Sequence, residues 1–270
     1  MKSSAFSSLD YTIALIDQQF QKKDYKKACN FILQGIKNFP DHPNLLDRFF
    51  IVDPRWCLLI SGNDMHLARP EENDLPFLQQ CFANKEFMAQ FLPMGRRDQS
   101  VESMRLALRQ NEFPVARSRA VHWIIKKNQR ADQPKESLVE NSKPIGLASL
   151  VDIQIAHRRA EFLMGIPDQA DRKQAAAVIA TLLIFDFAFN LIGLHKLTAK
   201  VIANNQHSQK STISIGFKQE GFFHEHLRDP KSRLWLDCYE NGLIIKDFRQ
   251  SELIARLSER LLGRDITLKI

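Results

Sequence analysis

Between Ala175 and Leu194 the sequence reads AAAVIATLLIFDFAFNLIGL, so a helix drawn through it is apolar on most sides. Such a helix must be covered nearly all round. Thr181, Asp186 and Asn190 interrupt the run, and a membrane span needs about 20 predominantly apolar residues. A helix over Arg172 to Leu191 packed against a sheet is therefore the expectation. The rest of the chain can supply that sheet: 44% of residues are hydrophobic and 26% charged, an ordinary balance for a soluble globular domain. At 270 residues the chain is long for one compact domain and short for two.

Short segments on either side have the two-residue rhythm of strands. They are Trp56–Ile60, Met65–Arg69, Val121–Lys127, Ile145–Ile153, Arg159–Ile166, Leu197–Ala203, Phe217–His224 and Leu234–Tyr239. The first two flank a turn at Gly62, Asn63 and Asp64. Helical stretches fall at 72–82, 100–111, 206–215 (with Gly216 as its C-cap) and 252–262. Residues 126–143 are polar and without periodicity, which predicts a hairpin connection. This order gives a mixed α/β fold, mostly antiparallel with helices inserted, over 53–270.

Residues 1–52 have a different rhythm. Leu15, Phe20, Tyr25, Ala28, Ile32, Gly35 and Pro40 fall near the positions of a single tetratricopeptide repeat. The spacing predicts an α-helical hairpin, 11–23 and 25–38, ended by Pro40. One such unit cannot bury its apolar faces alone. It is expected to dock on the rest of the chain, on a second copy in a homodimer, or on a protein partner.

Several function classes are disfavoured. Cys29, Cys57, Cys81 and Cys238 form no C-x-x-C pair, which argues against a disulfide framework or zinc ribbon and suits a reducing cytoplasm. The first ten residues lack the apolar run of a secretory signal. A net charge of +7 suits an acidic partner or coenzyme. The basic residues are not clustered with aromatics, so nucleic acid is not expected. His224, Glu225 and His226 with Cys238 are metal-ligand types; alternation would put both histidines on one strand face. No fourth ligand has recognisable spacing, so no metal is expected.

The segment Ala160–Phe217 carries the chemistry. It contains the strand AEFLMGI, the helix start RKQAAA, and the phrase GLHKLTAKVIANN followed by Ser208 and GFKQEG. Over about 57–248 the chain resembles the GNAT superfamily of N-acetyltransferases, in the branch similar to ribosomal-protein N-terminal acetyltransferases. The resemblance implies a GNAT-like sheet and acetyl-CoA as co-substrate. The acceptor would be a primary amine: a protein N-terminus, an amino sugar or a polyamine. The alternative is a catalytically silent GNAT-like module whose hairpin binds a partner.

The resemblance also assigns residues. Arg172, Lys173, Gln174, Ala175, Ala176 and Ala177 stand where the family binds the coenzyme pyrophosphate, with Ala175 replacing a usual glycine. Helix N-termini suit that task because their backbone N–H groups are unpaired and the dipole is positive there. Met164, Gly165 and Ile166 match the strand that holds the pantetheine arm and offers an N–H to the oxyanion. Glu161 and Glu225 are candidate acceptors of the amine proton. Ser208, in the pattern N-x-x-S, would reprotonate the thiolate, since Thr212 stands where other members have tyrosine. Asn205 would orient the coenzyme arm.

Overall fold

The computed structural model describes residues 8–91, 100–109, 112–128, 142–172, 175–229 and 232–269. Lys173, Gln174 and most of the polar 126–143 connection lie outside them.

The chain opens with α1 (Leu9–Gln21), α2 (Tyr25–Asn38) and α3 (Pro43–Val52). The expected hairpin is thus part of a three-helix unit. Its third helix starts with Pro43 at a first-turn position, where the missing N–H is not needed. Gly35 lets α1 and α2 cross closely, since a Cβ there would meet the Thr12 methyl at 2.9 Å. Leu45 and Val52 of α3 then close the cluster formed by Ile16, Cys29 and Ile32. Arg48 clamps α3 to α1 with bonds of 2.9 Å to both oxygens of Asp17.

This unit docks on the rest of the chain. Phe50 packs edge-on against Trp56 at 5.3 Å, and Trp56 packs against Phe187 at 5.8 Å. The Arg158 guanidinium lies 4.0 Å from the Phe50 ring centre and pairs with Asp47 at 2.5 Å. Tyr25 meets Phe113 and Arg117.

The expected strand at 56–60 forms only in part. Pro54–Cys57 is a 3-10 turn because Asp53 caps it through the Arg55 N–H at 2.9 Å and Pro54 pre-sets its first residue. The strand begins later, as β1 (Ile60–Ser61), which turns at Gly62 into β2 (Met65–Ala68). Four helices follow: α4 (Leu75–Ala83), α5 (Lys85–Phe91), α6 (Val101–Arg109) and α7 (Pro114–Ser118). Next come β3 (Val121–Lys127), β4 (Lys143–Gln154) and β5 (Arg159–Gly165). The helix α8 (Ala176–Phe185) continues as a π-helical turn, Asp186–Ile192. The chain ends with β6 (Lys196–Ile202), α9 (Gln206–Ser214), β7 (Lys218–Arg228), β8 (Trp235–Ile244), α10 (Ile245–Arg249) and α11 (Glu252–Leu262).

One eight-stranded sheet results, in the order β1-β2-β3-β4-β5-β6-β8-β7. Every neighbouring pair is antiparallel except β5 with β6. Helix α8 covers one face, where Trp123, Ala148, Leu150, Ala160 and Phe162 meet Ile179, Leu183 and Phe185. Helices α4–α6 cover the other, where Ile124, Leu147 and Leu163 meet Leu78, Phe91 and Met104.

Because Phe50 plugs the sheet core beside Trp56, the N-terminal helices are part of the folding unit. Phe50→Ala is expected to destabilise the full chain by about 3–5 kcal/mol in urea unfolding. A change below about 1 kcal/mol would show that α1–α3 merely lie on the surface.

Candidate active site

Strands β5 and β6 pair through only three residues: Arg159 with Lys196, Ala160 with Leu197, and Glu161 with Thr198. Beyond Glu161, β5 continues along β4 as far as Gly165, while β6 continues along β8 as far as Ile202. The two strands therefore splay, and among the described residues the β5 edge from Phe162 onward has no partner strand, which leaves a slot. Met164, Gly165 and Ile166 lie along that slot.

The start of α8 follows the end of β5 after ten residues that include the 3-10 turn Ala170–Arg172. Arg172 ties this turn to the strand end, donating to the carbonyls of Ile166 at 2.9 Å and Pro167 at 3.2 Å. Lys143 holds it from β4 with bonds of 2.9 and 2.8 Å to the two Asp171 oxygens. The N-cap residue Ala175 has no side chain that could cap α8, so among the described residues the N–H groups of Ala176, Ala177 and Val178 have no N-cap side-chain partner. Ala175, its N-cap residue, is left-handed at φ 58°, ψ 20°. Alanine pays about 1–2 kcal/mol for that conformation, which glycine adopts freely.

Gly165 is a place of close approach by a side chain. A Cβ there would lie 2.6 Å from the Phe87 ring of α5. Phe87 and Phe91 stack at 5.4 Å over this strand end. The same helix reaches the far side of the slot, where Gln90 accepts from the Asn205 amide at 3.1 Å. Asn205 also caps α9, accepting from the Ser208 N–H at 3.1 Å. Both ends of the Asn205 amide are thus engaged, whereas the half-buried Ser208 hydroxyl has no hydrogen-bond partner among the described residues.

Glu161 sits where the splay begins, on the same strand face as Leu163. Its carboxylate accepts from Lys200 at 2.8 Å, and Lys200 lies 3.6 Å from Glu240. The longer contact is Coulombic only, and that Glu240 oxygen is buried without a hydrogen bond among the described residues. The two partners are shifted for different reasons. Burial works against the Lys200 ammonium, but Glu161 and then Glu240 outweigh it and its pKa is raised. Burial also raises the Glu240 carboxyl above its ordinary range, and there Lys200 does not outweigh it. Nearby, burial pushes the Cys238 thiol up to about 11, so it is no nucleophile at neutral pH.

Glu225 lies apart from this cluster, on the exposed outer strand β7. It has φ 46° and sits where the β7–β8 register breaks, its N–H donating to Asp237 at 2.8 Å. That break corrects the simple alternation of the sequence. His224 packs on Phe222 and His226 on Phe223, rings that point to opposite faces, so the two histidines do not share one. Among the described residues no group of three or more His, Cys, Asp or Glu is arranged to hold a metal ion.

Sequence reasoning missed a cavity of about 410 Å³ between the sheet and helices α4 and α6. Leu78, Phe82, Met104, Leu108, Leu147 and Leu163 give it apolar walls. His122 and Ser149 line it too, their side chains 2.8 Å apart on adjacent strands, and Arg69 donates to the His122 carbonyl at 2.9 Å. The signal for it in the sequence was a single polar residue, His122 and Ser149, inside the apolar stretch of each of two strands.

A mostly antiparallel sheet opened beside its single parallel pair, with a helix start at the opening, is a mixed α/β arrangement. The GNAT acetyltransferase domain matches residues 64–218, and the chain belongs to that family. Among solved structures it is similar to Mycobacterium smegmatis RimJ in complex with CoA-disulfide. That match has a TM-score of 0.61 and 16% identity, covering 78% of this chain and 97% of the other. It is also similar to spermidine N-acetyltransferase from Vibrio cholerae in complex with CoA and spermine, with a TM-score of 0.53 and 19% identity, covering 67% and 95%. No curated protein matches the chain.

The Glu240 shift has a consequence for stability. A folded-state pKa above the unfolded value stabilises the fold below the unfolded value, and that contribution is lost as pH rises through the raised one. Glu240→Gln is therefore expected to raise the melting temperature at pH 7 and to change it less at pH 4. An equal or lower melting temperature at pH 7 would mean that the charge of Glu240 is needed.

Proposed function

We propose that the chain transfers an acetyl group from acetyl-CoA directly to a primary amine, with both substrates bound together. The observation that carries this reading is the open edge of β5 leading to the uncapped N-terminus of α8. An extended pantetheine arm could pair with the strand edge at Met164 to Ile166. The pyrophosphate would then meet the N–H groups of Ala176 and Ala177, with Arg172, Lys173 and Gln174 in the approach to the helix. Ala175 does not argue for the silent-module alternative, because its backbone already has the conformation that glycine would supply.

The chemistry needs few groups. The amine nitrogen attacks the thioester carbonyl carbon, an N–C bond forms, the C–S bond breaks, and the leaving thiolate takes a proton. An N–H of the open β5 edge would stabilise the oxyanion. Glu161 is the preferred acceptor of the amine proton because it stands at the head of the slot; Glu225, out on β7, is the second choice. Lys200 must share or release the Glu161 carboxylate for this to occur. Ser208 is the proposed proton donor to the thiolate, and Asn205 a positioning residue that fixes the start of α9. The acceptor is left as a protein N-terminus, an amino sugar or a polyamine at this level, in a cytoplasmic setting. The repeat-like α1–α2 pair is a further surface through which a partner or second copy could bind.

Two measurements test this. In calorimetry with acetyl-CoA, Ala175→Gly is expected to bind as tightly as the parent or tighter, and Ala175→Asp at least ~10-fold more weakly, since it sets a negative charge against the phosphates. Equal affinities in all three would put the pyrophosphate elsewhere. In turnover assays Glu161→Gln is expected to lose ~10²–10⁴-fold with coenzyme affinity little changed. A loss of that size in Glu225→Gln instead would exchange the two roles.

A further inference from the structure

The charges at the head of the slot form a trio drawn from three strands: Glu161 of β5, Lys200 of β6 and Glu240 of β8. Lys200 lies opposite Glu240 in the β6–β8 register, and Thr198, two residues back along β6, lies opposite Glu161. The Lys200 ammonium is 2.8 Å from a Glu161 oxygen and 3.6 Å from a Glu240 oxygen. The first contact is a charge-assisted hydrogen bond, and the second is too long to be one. The Glu240 oxygen on the long side is buried and has no hydrogen bond among the described residues. The ammonium thus stands between two carboxylates and has bonded one of them.

The charged groups around the trio have pairings of their own. Arg159 of β5 is 3.6 Å from Asp152, and Lys196 of β6 bonds Glu220 of β7 at 2.6 Å. On β7 the residue opposite Glu240 is Gly221, which brings no side chain, and Cys238 on β8 is a neutral thiol at neutral pH. Within the trio two carboxylates share one ammonium, so with both ionised it carries one negative charge in excess. Burial lifts the Glu240 carboxyl above its ordinary range, Lys200 pulls it back, and the Glu161 charge pushes it up again. The proton affinity of Glu240 therefore depends on the charge of Glu161 and on where the ammonium stands. Lysine suits a part that moves, being a point charge on a flexible stem.

We propose that Glu161, Lys200 and Glu240 work as one proton-accepting unit, in which Lys200 passes from Glu161 to Glu240 as Glu161 takes the proton of the acceptor amine. The inference rests on the acyl-transfer reading and adds two positioning residues to it, Lys200 and Glu240. The substrate arrives as an ammonium, drawn by the excess charge of the trio. One N–H bond breaks, the proton goes to a Glu161 oxygen, and the electron pair stays on nitrogen for attack on the thioester. Glu161 is then neutral and holds Lys200 less strongly, while Glu240 keeps its charge and its unmet acceptor. Lys200 closes the 3.6 Å gap to hydrogen-bond distance. After transfer Glu161 gives its proton to solvent and Lys200 returns. Without Glu240 the ammonium would stay on Glu161, engaging its electron pair against the incoming proton.

Glu161→Gln imitates the protonated base, so a crystal structure of that variant is the direct test. Lys200 Nζ is expected within about 3 Å of a Glu240 oxygen. An ammonium still resting on position 161 would overturn the proposal. The coupling is read separately, without turnover, by following the Glu240 carboxyl carbon by NMR through a pH titration of the full-length chain with labelled glutamate. Its signal is assigned by its loss in Glu240→Gln. Relative to the parent, Glu161→Gln should move the Glu240 midpoint down and Lys200→Met should move it up, each by about one pH unit or more. A static tie between strands predicts no such opposed shifts, and a midpoint unmoved in either variant would overturn the proposal. Should Glu161→Gln fail to fold, the Lys200→Met shift alone decides. Opposed shifts with undiminished turnover in Glu161→Gln would defeat the proton-acceptor reading of Glu161 and leave the coupled trio standing.

Discussion

The three-residue parallel pairing of β5 with β6 sets most of what this molecule can do. Parallel neighbours cannot be joined by a tight turn and need a crossover of a dozen or more residues. Here the crossover is the α8 segment, so the most apolar helix of the chain is obliged to lie across the sheet. Past Glu161 each strand follows a different antiparallel partner, β4 on one side and β8 on the other. Adjacent strands rotate relative to one another by roughly 20–25°, and past the end of their own pairing these two are joined by the Lys200–Glu161 side-chain bond rather than by a backbone ladder. The slot and the helix start at its mouth are thus two results of one topological choice.

Burying α8 on nearly all sides leaves its polar residues to be accounted for. Thr181 donates back to the Ala177 carbonyl at 2.8 Å within the helix. Asp186 pairs with Arg264, and Asn190 donates to Asp186 at 2.6 Å and to the Ile266 carbonyl at 2.8 Å. The residues that break the apolar run thus fasten the chain's last turn beneath the helix. On the opposite side Arg55 donates to the Leu191 carbonyl at 2.7 Å, joining the N-terminal segment to the same helix end. The segment where these bonds converge is π-helical, a widened turn that frees carbonyls for outside donors.

Most of this frame was legible in the sequence, because strand alternation and the all-round apolar helix leave few other arrangements. The β3 and α11 segments need no correction, and β4, β5, β6 and α9 need only a residue or two at their ends. What escaped was governed by contacts distant in sequence or by backbone conformation. Helix α3 is short, and its apolar residues find partners in two different clusters, Leu45 among α1 and α2 and Phe50 beside Trp56. Periodicity within ten residues does not reveal that division. The left-handed Glu225 breaks the alternation on β7, and no residue type there announces it. That a phenylalanine from α5 approaches Gly165 likewise depends on tertiary packing.

The candidate site divides along the same line. The proposed coenzyme side is made of backbone: a strand edge and a helix start. The side chains at Ala175, Ala176 and Ala177 matter there mainly by being small, and an ordered run of sequence is enough to locate them. The cavity beside it is made of side chains from β3, β4, α4 and α6 and from the residues just past β2, brought together by the sheet order. No local motif links Arg69, His122 and Ser149, which are separated by dozens of residues and joined by bonds of 2.9 and 2.8 Å. If the coenzyme is held through the main chain, as proposed, the neighbouring cavity is free to vary one side chain at a time. The chemistry of that pocket therefore has to be read from its charges and its walls.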